Sequence, residues 1–229
     1  MPRFDDPIVV VTRPERDARR FLDALLKFAG PFDAVISPAF DYTVVPFGVL
    51  DFDIAIFTSA MGVAHAPIGE GRIAYCVGTT TAKAAKAAGY VTFNADGSAD
   101  DLVALILSEK PTGRLLHIRG ENSLGNVMNR LVGRGIDCRD AVVYRKSLLN
   151  PTTKLTTALG STRNIILPVF SAETVSIMVE WSLSWDKCTV VAISESVAEF
   201  TSDLSPQKTV IAERPSMASM VQAVTRLIA

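Results

Sequence analysis

A short apolar strand that ends in hydroxyl residues and turns at once into a helix is written twice in this chain. The first copy is Phe57-Thr58-Ser59-Ala60, with Val63 four residues after the serine; the second is Val169-Phe170-Ser171-Ala172, with Val175 four residues after its serine. Each copy is followed by another strand-to-helix turn. These are Cys76-Val77-Gly78-Thr79-Thr80-Thr81-Ala82 and Ala192-Ile193-Ser194-Glu195-Ser196-Val197-Ala198. A repeat of this kind specifies two similar half-molecules, each with hydroxyl residues at helix N-termini, and the expectation is a cleft between matched lobes.

The rest of the chain alternates short strands with helices, the pattern of parallel α/β sheets. Strands are expected at Ile8 to Thr12, Asp33 to Ile36, Ile54 to Thr58, Ile73 to Val77, Val91 to Phe93 and Leu115 to Ile118, and then at Ile165 to Val169, Thr189 to Ile193 and Thr209 to Ile211. Helices are expected between them, among them Leu124 to Arg134, with Ser98 and Asp101 as a capping box before another. The middle block holds a full set of strand–helix units, whereas the tail supplies three strands and the first 37 residues two. The economical solution is an α/β fold of two doubly wound, flavodoxin-like parallel-sheet lobes joined by a two-stranded linker, with one lobe discontinuous. Residues 1–37 and 151–229 form that lobe, 48–140 the inserted one, and 38–47 and 141–150 the linker strands. Ligands reach such sheets at the carboxyl ends of the strands.

Composition narrows the function classes. The net charge of −1 and pI near 6.1 exclude a broad nucleic-acid surface, which needs clustered Lys and Arg. Cys76, Cys138 and Cys188 are widely spaced and odd in number, so they read as buried thiols of a reducing compartment rather than a disulfide framework. Met1-Pro2-Arg3-Phe4-Asp5-Asp6 has no signal-peptide pattern, and no apolar run reaches the roughly 18 residues that span a bilayer. The expectation is a cytoplasmic protein without nucleic-acid or membrane partners.

No phosphate-loop, dinucleotide, serine-hydrolase or zinc motif is present. His65 and His117 lack the clustered carboxylates or thiols of a metal site and read as packed or surface residues. What recurs is hydroxyl presentation: Ser59, Thr80, Thr81, Ser171, Ser194 and Ser196 all stand at expected helix starts. Each alone is explained by capping. Together with free helix N–H groups they suit a ligand with several carboxylates. Arg13, Arg119 and Arg145 either add charge-assisted bonds or stand as solvated residues. Tyr144 lies on the second linker strand, where it either packs or presents a weakly acidic phenol as proton donor.

These residues, in this order, resemble the uroporphyrinogen-III synthase family. The resemblance runs through Val11-Thr12-Arg13-Pro14, Ile56-Phe57-Thr58-Ser59, Val77-Gly78-Thr79-Thr80-Thr81-Ala82, Leu116-His117-Ile118-Arg119-Gly120-Glu121, Val143-Tyr144-Arg145, Phe170-Ser171 and Ala192-Ile193-Ser194. It implies a monomeric enzyme of haem and other tetrapyrrole biosynthesis, needing no metal or cofactor. That enzyme closes the linear tetrapyrrole hydroxymethylbilane with loss of water and inversion of ring D. It further implies Tyr144 as the group assisting hydroxide departure, and a substrate cleft lined by Ser59, Thr81 and Ser171. Arg13, Thr80, Arg119, Gly120, Ser194 and Ser196 complete the expected binding set. One departure stands out: many relatives carry Gly-Pro-x-Thr-Ala where this chain has Ser194-Glu195-Ser196-Val197-Ala198, so Val197 replaces a threonine. The alternative reading is a non-catalytic, bilobed cytosolic binder of a polycarboxylate small molecule.

Overall fold

The computed structural model describes residues 6–48 and 51–228. The Met1 to Asp5 part of the N-terminal reading lies outside them. The chain divides into two compact units, Met1–Asp41 with Ser147–Ala229, and Tyr42–Lys146.

In the first unit, β1 (Ile8–Val11), β2 (Asp33–Ile36), β9 (Ile165–Val169), β10 (Cys188–Ala192) and β11 (Lys208–Ile211) form a sheet in the order β11-β10-β9-β1-β2. Every neighbouring pair is parallel. Its helices are α1 (Glu15–Ala29), α6 (Thr153–Leu159), α7 (Ala172–Glu180), α8 (Glu195–Thr201) and α9 (Met217–Ile228). Side chains alternate across the sheet, and both faces are covered. Val10, Leu167 and Val190 pack with Val175, Met178 and Trp185 on one face. Val9, Val11 and Ile166 pack with Phe21 of α1 and Val224 of α9 on the other.

The second unit contains β4 (Ile54–Phe57), β5 (Ile73–Cys76), β6 (Val91–Asn94), β7 (Leu115–Gly120) and β8 (Cys138–Leu148), with β3 (Phe40–Val44) added beside β8. The order is β3-β8-β7-β4-β5-β6, and β4 to β8 pair in parallel. Its helices are α2 (Ala60–Ala64), α3 (Thr79–Ala87), α4 (Ala99–Glu109) and α5 (Val127–Val132). Phe57, Cys76 and Ile118 pack with Val63 and Ala85 on the α2–α3 face. Ile54, Ile56 and Leu115 pack with Leu102, Ile106 and Leu131 on the α4–α5 face.

The two sheets share one plan. β4-β5-β6 occupy the places of β9-β10-β11, while β7 and β8 take those of β1 and β2. The units are circular permutants, and the written repeat falls at the same sheet position in each.

Most expected elements are present within a residue or two, and Ser98 and Asp101 form the capping box that opens α4. The helix expected from Leu124 to Arg134 is shorter. Gly125 (φ 84) and Asn126 (φ 45) are left-handed, a conformation a helix cannot contain, so α5 starts at Val127 and stops at Val132.

Candidate active site

The expected serines, threonines, Arg13, Arg119 and Gly120 lie at or just past the C-terminal ends of strands or on the helix that follows, the edge where doubly wound sheets bind ligands. Tyr144 instead lies within β8 and reaches that level by pairing with Gly120 at the end of β7. In the second unit, the turn after β4 makes Ser59 the N-cap of α2, and its Oγ accepts the Gly62 N–H at 3.0 Å. The same Oγ lies 3.1 Å from the Tyr144 hydroxyl. Tyr144 also meets Tyr42 edge-on, ring centres 5.4 Å apart, and its ring lies 6.3 Å from that of His65.

Two backbone features bring Tyr144 there. The β7–β8 register slips between Arg119 and Gly120, so that Arg119 pairs with Val142 but Gly120 pairs with Tyr144. Such an irregularity re-aims a side chain. Gly120 also leaves room for the ring, because a Cβ at that position would stand 2.5 Å from the Tyr144 Cζ. The phenol and Ser59 line a cavity of about 310 Å³ with Thr58, Val77, Gly120 and Ser123.

Behind this cavity runs a chain of polar groups that includes the expected Arg119, joined by contacts that no local sequence pattern reveals. Thr58 Oγ1 lies 3.3 Å from His117 Nε2, and His117 Nδ1 lies 3.1 Å from Asp140 Oδ1. Arg119 Nε donates to Asp140 Oδ2 at 2.9 Å, and its Nη1 donates to the carbonyls of Gly120 and Glu121 at 2.9 and 2.8 Å. Burial pushes the Asp140 carboxyl up, but hydrogen bonds from His117 and Arg119 outweigh it, and the net direction is below the ordinary carboxylate value. Arg145 forms a two-pronged pair with Glu121, both contacts at 2.8 Å.

Among the other expected residues of this unit, Thr80 is exposed on the first turn of α3 and Thr81 is buried. Gly78 caps that helix without a side-chain bond, so the first-turn N–H groups lack a side-chain acceptor from the cap.

In the first unit, Ser171 caps α7, accepting the Thr174 N–H at 3.2 Å. Ser194 and Ser196 share a hydrogen bond of 2.9 Å at the exposed start of α8. Val197 sits where Thr81 sits in the other unit, third in its helix and buried in the core. Arg13 follows β1 and stacks over the Phe170 ring at 4.2 Å, with Asp17 at 3.7 Å. Burial lowers its pKa and Asp17 opposes that shift. The role of Phe170 as a platform for Arg13 was not legible in sequence. No group of His, Cys, Asp and Glu suited to a metal ion occurs among the described residues.

The family model for Uroporphyrinogen-III synthase HemD matches residues 21–222. No curated protein sequence matches the chain. Among solved structures, it is similar to uroporphyrinogen-III synthetase from Helicobacter pylori at 18% identity, covering 96% of this chain and 99% of that one with a TM-score of 0.60. It is also similar to a mutant uroporphyrinogen III synthase from the extremely thermophilic bacterium Thermus thermophilus at 19% identity, covering 97% and 98% with a TM-score of 0.52. Those likenesses speak to the fold, in agreement with the doubly wound units described above. The family match spans most of the sequence, including Ser59, Gly120, Tyr144 and Ser171, and by it the chain belongs to the uroporphyrinogen-III synthase family.

Proposed function

We propose that this chain closes hydroxymethylbilane to uroporphyrinogen III, with loss of water and inversion of ring D, in tetrapyrrole biosynthesis. The observation that carries the reading is the 3.1 Å contact between Ser59 Oγ and the Tyr144 hydroxyl at a cavity on the C-terminal edge of the sheet.

The substrate is an electron-rich polycarboxylate. A pyrrole nitrogen lone pair expels the terminal hydroxyl group, and the Tyr144 phenol supplies the proton that makes it leave as water. The resulting phenolate accepts the Ser59 O–H. The cationic azafulvene end then attacks the substituted carbon of ring D to give a spiro intermediate, which fragments and recombines with the ring inverted, and the closed macrocycle loses a proton that restores the phenol. Unassisted closure gives the uninverted isomer, so the enzyme's main contribution is to hold one conformation. Carboxylates of the substrate are held by Thr80 and the open first turn of α3, by Ser171, Ser194 and Ser196, and by Arg13. Arg119 already holds Asp140 and two carbonyls, so its part is to shape the edge beside Gly120.

In this reading the enzyme works in the cytoplasm as a monomer and requires no metal or cofactor. No helix among the described residues is long and apolar enough to cross a membrane. The test is incubation with freshly made hydroxymethylbilane, oxidation of the products and separation of porphyrin isomers. Isomer III above the spontaneous background supports the synthase, and isomer I alone rejects it in favour of a binder. Tyr144→Phe should lower turnover with the fold retained, and unchanged turnover removes the phenol from the mechanism.

A further inference from the structure

We propose that His117 is a positioning residue for Tyr144, fixing the Thr58–Ser59 turn from behind so that Ser59 meets the phenol. The inference rests on Tyr144 acting as the proton donor, but its structural half can be tested without turnover.

His117 is 1% exposed, in the middle of β7. A buried imidazole has no stabilising reason to be there unless both nitrogens are bonded. Both are. His117 and Asp140 are direct cross-strand partners, and Ile56 of β4 pairs with His117 on the other side. The histidine therefore bridges β8 to the end of β4. An ionised Asp140 only accepts hydrogen bonds, so the proton between them belongs to Nδ1 of His117. Arg119 grips the second Asp140 oxygen with Nη2 at 2.8 Å, which orients the carboxylate. In the neutral ring, Nε2 is then an acceptor, and it takes the Thr58 O–H at 3.3 Å.

Thr58 is the residue before Ser59, and both line the cavity with Tyr144. Ser59 is thus tied on two sides: its Oγ to the helix it caps, and its preceding residue to the Arg119–Asp140–His117 chain. Cutting the His117–Thr58 bond frees the turn at the point where a small displacement breaks the contact with Tyr144. The chemistry, not substrate affinity, takes the loss.

The experiment uses the full chain and four variants. His117→Asn keeps a donor for Asp140 but is too short for Thr58; His117→Gln carries its amide to the Nε2 distance. Tyr144→Phe and the Tyr144→Phe/His117→Asn double variant complete the set. The expected result is a kcat about tenfold lower for His117→Asn with KM little changed, recovery in His117→Gln, and no further loss when His117→Asn is added to Tyr144→Phe. In parallel, the protein is labelled with 13Cζ-tyrosine. It has four tyrosines, and the Tyr144 resonance is the one lost in Tyr144→Phe. His117→Asn should move that resonance and His117→Gln should restore it. If wild-type protein makes no isomer III, the synthase reading fails while the resonance still decides the coupling. Wild-type kcat and an unmoved Tyr144 resonance in folded His117→Asn overturn the proposal, as does an equal loss in the Tyr144→Phe background. Should His117→Asn not fold, Thr58→Val removes the same bond from a partly exposed residue, and the same outcomes apply.

Discussion

At the scale of single residues, Gly120 decides more than its size suggests. Its missing side chain is the space that the Tyr144 ring fills, 2.5 Å from where a Cβ would stand. Gly120→Ala must therefore turn the ring out and break the contact with Ser59. The expected outcome is turnover as low as in Tyr144→Phe, with stability reduced by about 1–3 kcal/mol from overpacking; porphyrin-isomer analysis and urea unfolding measure the two. A Gly120→Ala protein with full turnover would show that the phenol does not have to sit against Ser59. Ser59 and Tyr144 were each legible in the sequence, one as a helix start and one as a linker residue. Their meeting was not, because it depends on a register slip between β7 and β8 that no local pattern records. His117 and Asp140 were hidden for the same reason: they are 23 positions apart and become neighbours only through strand pairing. The cysteines, by contrast, read correctly as buried. Burial pushes Cys76, Cys138 and Cys188 up to about 12, with neighbouring acidic groups adding to it at Cys138 and Cys188. Almost no thiolate is present at pH 8, and Ellman's reagent should find no fast-reacting thiol in native protein and all three in denaturant. A fast native reaction would show that one of these thiols reaches solvent.

At the scale of elements, strands and helices were legible wherever apolar period and turn chemistry agreed, and less so where the backbone left its ordinary conformations, as at Gly125 and Asn126 before α5. The strand ends opposite the site carry a device of their own. Asp53, just before β4, accepts from the Arg114 backbone N–H at 2.9 Å and from its Nε and Nη2 at 3.1 Å each, next to the start of β7. Arg114 also pairs with Asp51. The Arg114 side-chain and backbone bonds hold the Asp53 carboxyl at about 2, against 3.8 for the free group. A depressed carboxylate pKa means that the unfolded chain takes up the proton first as pH falls. Asp53 therefore contributes its stabilisation above about pH 4 and loses it progressively toward about pH 2. Because about half of the Asp53 side chain is exposed, salt screens the effect. The measurement is the urea midpoint of wild type against Asp53→Asn across pH. The gap should be constant above about pH 5 and close toward about pH 2; a gap that does not change with pH would mean that the pairing with Arg114 does not hold the charge.

At the scale of the whole molecule, the repeat legible in the sequence corresponds to a permutation of one sheet plan. The order β8-β7-β4-β5-β6 of one unit is the order β2-β1-β9-β10-β11 of the other, with the chain entering at a different strand. A fold so arranged owes little to the continuity of the chain through the first unit. Ala39 and Leu149 are adjacent there, the Leu149 N–H donating to the Ala39 carbonyl at 3.0 Å, so the ends flanking the insertion already meet. Close by, Thr152 N–H donates to Ser37 Oγ at 3.0 Å and Trp181 Nε1 donates to the Leu149 carbonyl at 2.9 Å. Replacing residues 40–148 by a short Gly-Ser bridge keeps all three bonds and closes a loop of low entropic cost. Each unit has its own two-faced core, and units of about 100 residues are large enough to fold alone, though with modest stability. The expected outcome is that the bridged first unit and the separate 40–148 fragment, which keeps β3 and β8 whole, each unfold in a single cooperative urea transition with dispersed amide NMR spectra. The fragment should also retain the 13Cζ resonance of Tyr144 seen in the full chain, since Ser59, Gly120 and Tyr144 all lie within it. A fragment that unfolds without a transition, or whose Tyr144 resonance matches that of free tyrosine, would show that the phenol's setting is not built by the inserted unit alone.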